Sequence, residues 1–196
     1  MKKQPLYVKR LVLSAMFIAI GLILPFVTGQ MQQVGNMLLP MHIPVLLCGL
    51  ICGWQYGAVI GFILPLLRYT LFGMPPIYPI GVSMAFELAT YGAVIGICMK
   101  LFYRKKAFAF FTESKEYITC LYLSLVISMV CGRVIWGLVR FVLASVSKQA
   151  FTWEMFVSGA FVTAIPGIIV QLILIPGLMI ALERAGVLKD DMYQHK

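Results

Sequence analysis

The feature that most constrains this chain is the recurrence of uninterrupted apolar runs. A hydrocarbon core about 30 Å thick takes roughly 17–25 apolar residues to cross as a helix. Runs of that kind cover Leu11–Val27, Ile80–Tyr103, Tyr117–Val146 and Phe156–Leu182, with two shorter ones, Pro40–Trp54 and Gln55–Phe72, around the turn GWQYG. Within lipid every backbone amide has to be satisfied by the segment itself, which leaves helices or closed barrels. These runs are continuously apolar and do not alternate, so barrel strands are excluded. Composition agrees: 12 % of the 196 residues are charged, against about 25 % in soluble chains, and mean hydropathy is +0.94. The expected class is an all-α polytopic membrane protein of six transmembrane helices with both termini cytoplasmic, residues 1–196 forming a single domain.

Charge fixes the orientation. The net charge of +9 invites a nucleic-acid partner, but its distribution argues for none. Most basic residues lie in the Met1–Arg10 tail, the Arg104–Glu116 connector with Lys100 just before it, and the Glu183–Lys196 tail, as cytoplasmic ends do under the positive-inside rule. Thr28–Leu39, Gly73–Pro79 and Ser147–Glu154 then face outward, and Lys148 is their one basic residue. A single crossing over Pro40–Phe72 would put the basic connector outside. Two true spans there keep the parity, and so does a re-entrant pair. The first apolar run has no small-residue cleavage site closing it, which predicts a retained span.

Inside the spans lie Arg68, Glu87, Arg133 and Arg140. An unpaired charge at a helix centre costs at least about 2.5–3.5 kcal/mol in a bilayer, so each needs a reason to be there. At 1.5 Å per residue all four fall in the outer half. Arg133, Trp136 and Arg140 share one helix face. Three arginines against one glutamate leave positive charge that a carboxylate or phosphate ligand would offset. The alternative is that Arg68 and Arg140 snorkel to headgroups and only Arg133–Glu87 is buried. Asn36, His42, Tyr69, Tyr78, Tyr91, Trp136 and Gln171 stand near the same side or midplane and complete the candidate binding set. With His195 far away in the tail, His42 does not suggest a metal, and no cofactor is expected. Cys48, Cys52, Cys98, Cys120 and Cys131 fall within predicted helices and read as small packing residues.

Small residues four apart bring helix backbones close in lipid. Ala15 and Ala19 form such a pair, Ala85, Ala89 and Ala93 a stripe, and Gly49, Gly53, Gly57 and Gly61 a ladder that crosses the predicted turn. There is no GxxxxGKS/T phosphate loop, HExxH or Ser/His/Asp set. Catalysis, such as a lipid-modifying activity with paired acidic residues, is therefore poorly supported. A binding or transport role fits better, with a structural membrane assembly as the other class. A chain that binds but carries no motor needs a partner.

Three segments, LPMHIPVLLCGLICGWQYGAVIG (Leu39–Gly61), GMPPIYPIGVSMAFELATYG (Gly73–Gly92) and LSAMFIAIGLILP (Leu13–Pro25), carry a family resemblance. The chain resembles the substrate-binding S components of energy-coupling factor (ECF) vitamin transporters over essentially its whole length. The resemblance implies a six-helix protein of the bacterial plasma membrane that captures a vitamin outside. It would pass the vitamin inward with an ECF transmembrane coupling protein and two ABC ATPases, toppling in the membrane to do so. It also implies that Ala15 and Ala19 dock the coupling protein and that Thr28–Leu39 and Gly73–Pro79 close over the pocket. The His-Ile-Pro and Met-Pro-Pro motifs resemble the branch with pantothenate and cobalamin carriers. The arginine surplus favours pantothenate, with cobalamin and folate as alternatives.

Overall fold

The computed structural model describes residues 6–27, 38–104, 113–148 and 152–185, and among them the chain is helix joined by turns, with no strand. In chain order the helices are α1 (Leu6–Val27), α2 (His42–Ile51), α3 (Trp54–Phe72), α4 (Val82–Arg104), α5 (Glu113–Val146), the short α6 (Trp153–Val157) and α7 (Ile165–Arg184). Five helical segments among the described residues are long and apolar enough to cross a membrane: Leu6–Phe26, Trp54–Phe72, Ile77–Phe102, Lys115–Val146 and Ile165–Arg184.

The two shorter spans expected over 40–72 are unequal. Helix α2 has ten residues, every one of them buried; at 1.5 Å per residue it reaches about 15 Å, half the hydrocarbon thickness. Its ends lie inside protein, where irregular backbone is tolerated at membrane depth. Gly53, at φ 102, makes the turn into α3, a conformation that other residues adopt only with strain. Direction still alternates as the charge pattern requires. Phe26 and Phe72 meet at 4.9 Å, and Tyr78 reaches the Leu143 carbonyl. The ends of α1, α3 and α5 therefore share one face of the bundle with the start of α4.

Helix α4 is the axis, packed against α2, α3 and α5. Glycines set its spacing. A Cβ on Gly57 would lie 2.7 Å from the Gly92 carbonyl oxygen and from the Gly49 Cα, and one on Gly96 would lie 2.7 Å from the Gly49 carbonyl oxygen. A Cβ on Gly61 would fall on the Leu88 backbone. The ladder thus works from two helices at once, with α2 and α3 both closing on α4.

Some boundaries move. The expected basic tail is partly helix, because α1 starts at Leu6, and Arg10 is buried. The expected exposed connector is partly helix too, with Glu116 buried near the start of α5. Long side chains at helix ends lie down along apolar neighbours, which a count of charges does not reveal. The sixth span, expected as Phe156–Leu182, is broken into α6, a wide turn at Ser158–Val162, and α7. Pro166 accounts for the break: lacking an amide donor, it begins a helix more readily than it continues one. The remainder of the tails and of the connector, with residues 28–37, lies outside the described residues.

Candidate functional site

Three helices bring an ionic cluster together inside this apolar bundle. Leu39, at φ 51, occupies the left-handed region, a strained choice for a non-glycine residue. Its carbonyl accepts the His42 N–H at 3.0 Å, so the turn fixes His42 as the first residue of α2. Helix α4 supplies Glu87 and, one turn on, Tyr91. Helix α5 supplies Arg133, whose Nη1 lies 2.9 Å from Glu87 Oε1, while His42 Nε2 lies 3.4 Å from the same oxygen. The Tyr91 ring stands edge-on to His42 at 5.0 Å, and its hydroxyl is beside Glu87 and Arg133. Gly132 makes room for that ring, since a Cβ there would come within 2.9 Å of it.

Seclusion sets the energetics. His42 and Glu87 are each 1 % exposed and Arg133 4 %. Buried ions repay their desolvation only when paired and hydrogen-bonded. Glu87 is paired with Arg133, though its Oε1 has no well-aligned hydrogen bond among the described residues. Arg133 meets the condition in part: Nε and Nη2 have no hydrogen-bond partner among the described residues, nor do His42 Nδ1 and Gln171 Nε2. A buried donor left without an acceptor costs about 1–3 kcal/mol. Within the cluster itself, the five guanidinium N–H groups of Arg133 and the Tyr91 hydroxyl outnumber the two carboxylate oxygens of Glu87 that could accept from them.

Of the candidate binding residues, the structure gathers His42, Glu87, Tyr91 and Arg133. Gln171 is buried on α7 at 1 % exposure. Arg68 is elsewhere: Nη1 donates to the Leu22 carbonyl at 3.0 Å, and its guanidinium lies 5.4 Å from the Phe26 ring and 5.7 Å from the Phe72 ring. It is buried, not extended to headgroups, and it ties α3 to α1 beside the turn that Pro25 deprives of an amide donor. Arg140 lies over the Trp136 ring at 5.7 Å, and Trp136 stacks on Phe156 at 6.4 Å. The arginines are thus distributed among different tasks.

Tyr69 is half-buried, its carbonyl accepting the Gly73 N–H at 2.7 Å. Tyr78 is exposed, and its hydroxyl donates to the Leu143 carbonyl at 2.8 Å and pairs with Ser147 Oγ, tying the loop after α3 to the end of α5. Asn36 lies outside the described residues. Ala15 and Ala19 are both exposed on α1. Buried Arg10 and Glu116, and the role of Gly132, were not expected. Gly132 precedes Arg133 directly, but nothing local tells a packing glycine from any other.

A family model for the substrate-specific component of ECF transporters matches residues 9–179. No curated protein and no solved structure matches the chain.

Proposed function

The chain belongs to the substrate-specific components of ECF transporters, and from that membership we propose that it captures a vitamin, pantothenate, at the outer side of a bacterial plasma membrane. Membership itself implies a small-molecule substrate and an ECF coupling module as partner. In our reading the module comprises a transmembrane coupling protein and two ABC ATPases. The observation that carries the reading is the donor-rich cluster of His42, Glu87, Tyr91 and Arg133, sealed among apolar helices toward the end where α1, α3 and α5 finish. A structural helix bundle gains nothing from partly satisfied buried donors, whereas a binding protein uses them when its ligand arrives. Arg133 now supports the anion argument without Arg68, which is committed to α1.

The loop after α3, fastened by Tyr78 to α5, and the segment after α1 would close the site. The bare Ala15 and Ala19 face would receive the coupling protein. The test is calorimetric titration of the purified full chain with pantothenate, where the expected dissociation constant is about 1 μM or tighter, roughly −8 kcal/mol. Arg133→Ala should weaken binding at least tenfold. Cobalamin or folate binding in place of pantothenate would move the assignment within the family. A protein that retains none of these vitamins, and no small molecule from cell extract, would defeat it.

A further inference from the structure

The guanidinium of Arg133 is half used, and the half that remains has a definite shape. A guanidinium presents five donors in a planar fork. Glu87 Oε1 engages Nη1 at 2.9 Å. The donors without partners among the described residues are Nε and Nη2, which together form the other side of the fork. Two parallel N–H groups on such an edge match the two oxygens of one carboxylate, giving a bidentate pair stronger and more directional than a single bond. Each atom is sealed from solvent, so water is a poor competitor there.

Charge narrows the class further. Arg133 is already offset by Glu87, so a single carboxylate leaves the trio at −1, a charge that hydrogen bonds from neutral donors can spread. The Tyr91 hydroxyl, beside Glu87 and Arg133, is a neutral donor within the cluster. Gln171 Nε2, on α7, is a second buried donor without a partner among the described residues. A neutral His42 that turns its Nε2–H to Glu87 leaves Nδ1 as an acceptor. A phosphate dianion or a dicarboxylate would raise the excess to −2 in a low-dielectric interior, where like charges are least tolerated. A cation would find its one attraction, the Glu87 carboxylate, already offset by Arg133. A primary amide offers one acceptor to a two-donor edge and turns its own N–H toward the other.

We propose that Arg133, steadied on one side by Glu87, is the specificity-determining residue for substrate charge: its Nε/Nη2 edge takes the carboxylate of a small monoanionic acid that carries a further hydrogen-bond acceptor. This inference rests on the reading of the chain as a substrate-capturing component, and it names the chemical class that component selects.

The experiment uses the full chain in lipid nanodiscs. Pantothenate is titrated beside pantothenol, its neutral alcohol, and 4′-phosphopantothenate, its phosphorylated form. Nicotinate and biotin are each titrated beside their amides. At least one acid should bind ten times more tightly than its neutral counterpart, and the phosphorylated form at least ten times more weakly than pantothenate wherever pantothenate binds. Arg133→Gln should bring the acid down to the level of its neutral counterpart. Arg133→Lys should recover only part of the preference, because an ammonium has no planar fork. The double variant Glu87→Gln/Arg133→Gln leaves neither charge uncompensated, and it should lose the acid preference even where the single variant does not fold. Neutral ligands bound within threefold of their acids, or a preference that survives the double variant, would overturn the carboxylate inference while leaving substrate capture intact. If no small molecule binds, from this panel or from cell extract, both readings fall.

Discussion

Small residues spaced four apart occur on α1 as Ala15 and Ala19 and on α3 as Gly57 and Gly61, and the two pairs have different surroundings. The glycines face α4 so closely that side chains would land on backbone: a Gly57 Cβ would lie 2.7 Å from the Gly92 carbonyl oxygen. The alanines face away from the bundle, exposed among Leu11, Val12, Met16, Ile20 and Ile23. The other side of α1 is the one that packs. Phe17 is buried in the core, and Ser14 Oγ lies 3.7 Å from Cys48 Sγ. Identical spacing therefore serves two ends. Glycine on both partners is spent on internal backbone contact, while alanine leaves a shallow apolar face on which another helix can settle.

The sharpest way to break this contrast is to fill the inner seam. Gly92→Leu would place its side chain against the Gly57 backbone, and Gly57→Leu would do the same in reverse. Overpacking typically costs about 1–3 kcal/mol and occasionally more, and here the obstacle is backbone, which cannot swing aside as a side chain can. Loss of at least about 3 kcal/mol is expected, a large part of the roughly 5–15 kcal/mol that folded proteins hold in reserve. Thermal unfolding in detergent, followed by size-exclusion profile, should show an early transition or no folded peak. A variant with wild-type stability would mean that α3 and α4 are further apart than described.

The outer stripe should respond in the opposite manner. Ala15→Leu with Ala19→Leu adds bulk to a surface that is exposed among the described residues, so thermal stability and ligand binding should stay near wild type. Uptake by cells carrying the coupling module should fall at least tenfold, since the added side chains hold a partner helix away. Stability lost along with uptake would assign the stripe to internal packing. Unchanged uptake would remove α1 from the docking surface.

How much of this was legible in the sequence follows from what each signal measures. Hydropathy reports the free energy of a segment in lipid, so it finds α1, α3, α4, α5 and α7 well. It cannot tell that α2 is a buried ten-residue helix, since total burial and lipid exposure both select apolar residues. The Arg133–Glu87 pair was readable because two costly charges in neighbouring spans have few other outlets. Arg68 was not, because its partners are the Leu22 carbonyl and the rings of Phe26 and Phe72, and neither a carbonyl nor a ring face leaves a mark on a charge count. The glycine ladder was visible, and so was its passage across the turn, but the helix it closes on was not. Its function depends on Gly92 and Gly96, more than thirty residues away in the chain.

The smallest effect comes from a glycine that belongs to neither stripe, and it calibrates the other two. Gly177 lies within α7, and a Cβ there would meet nothing within 4 Å. Glycine inside a helix costs roughly 0.5–1 kcal/mol relative to alanine, because it loses more backbone freedom on ordering. With no contact to set against that gain, Gly177→Ala should raise stability by about that amount, read as a slightly later unfolding midpoint with uptake unaltered. Gly57→Ala makes the same chemical change where the Gly49 Cα would stand 2.7 Å away, and its sign should reverse. Should both variants shift the same way, helix propensity alone would account for these glycines, and close approach to α4 would no longer explain why the inner ladder differs from the alanines of α1.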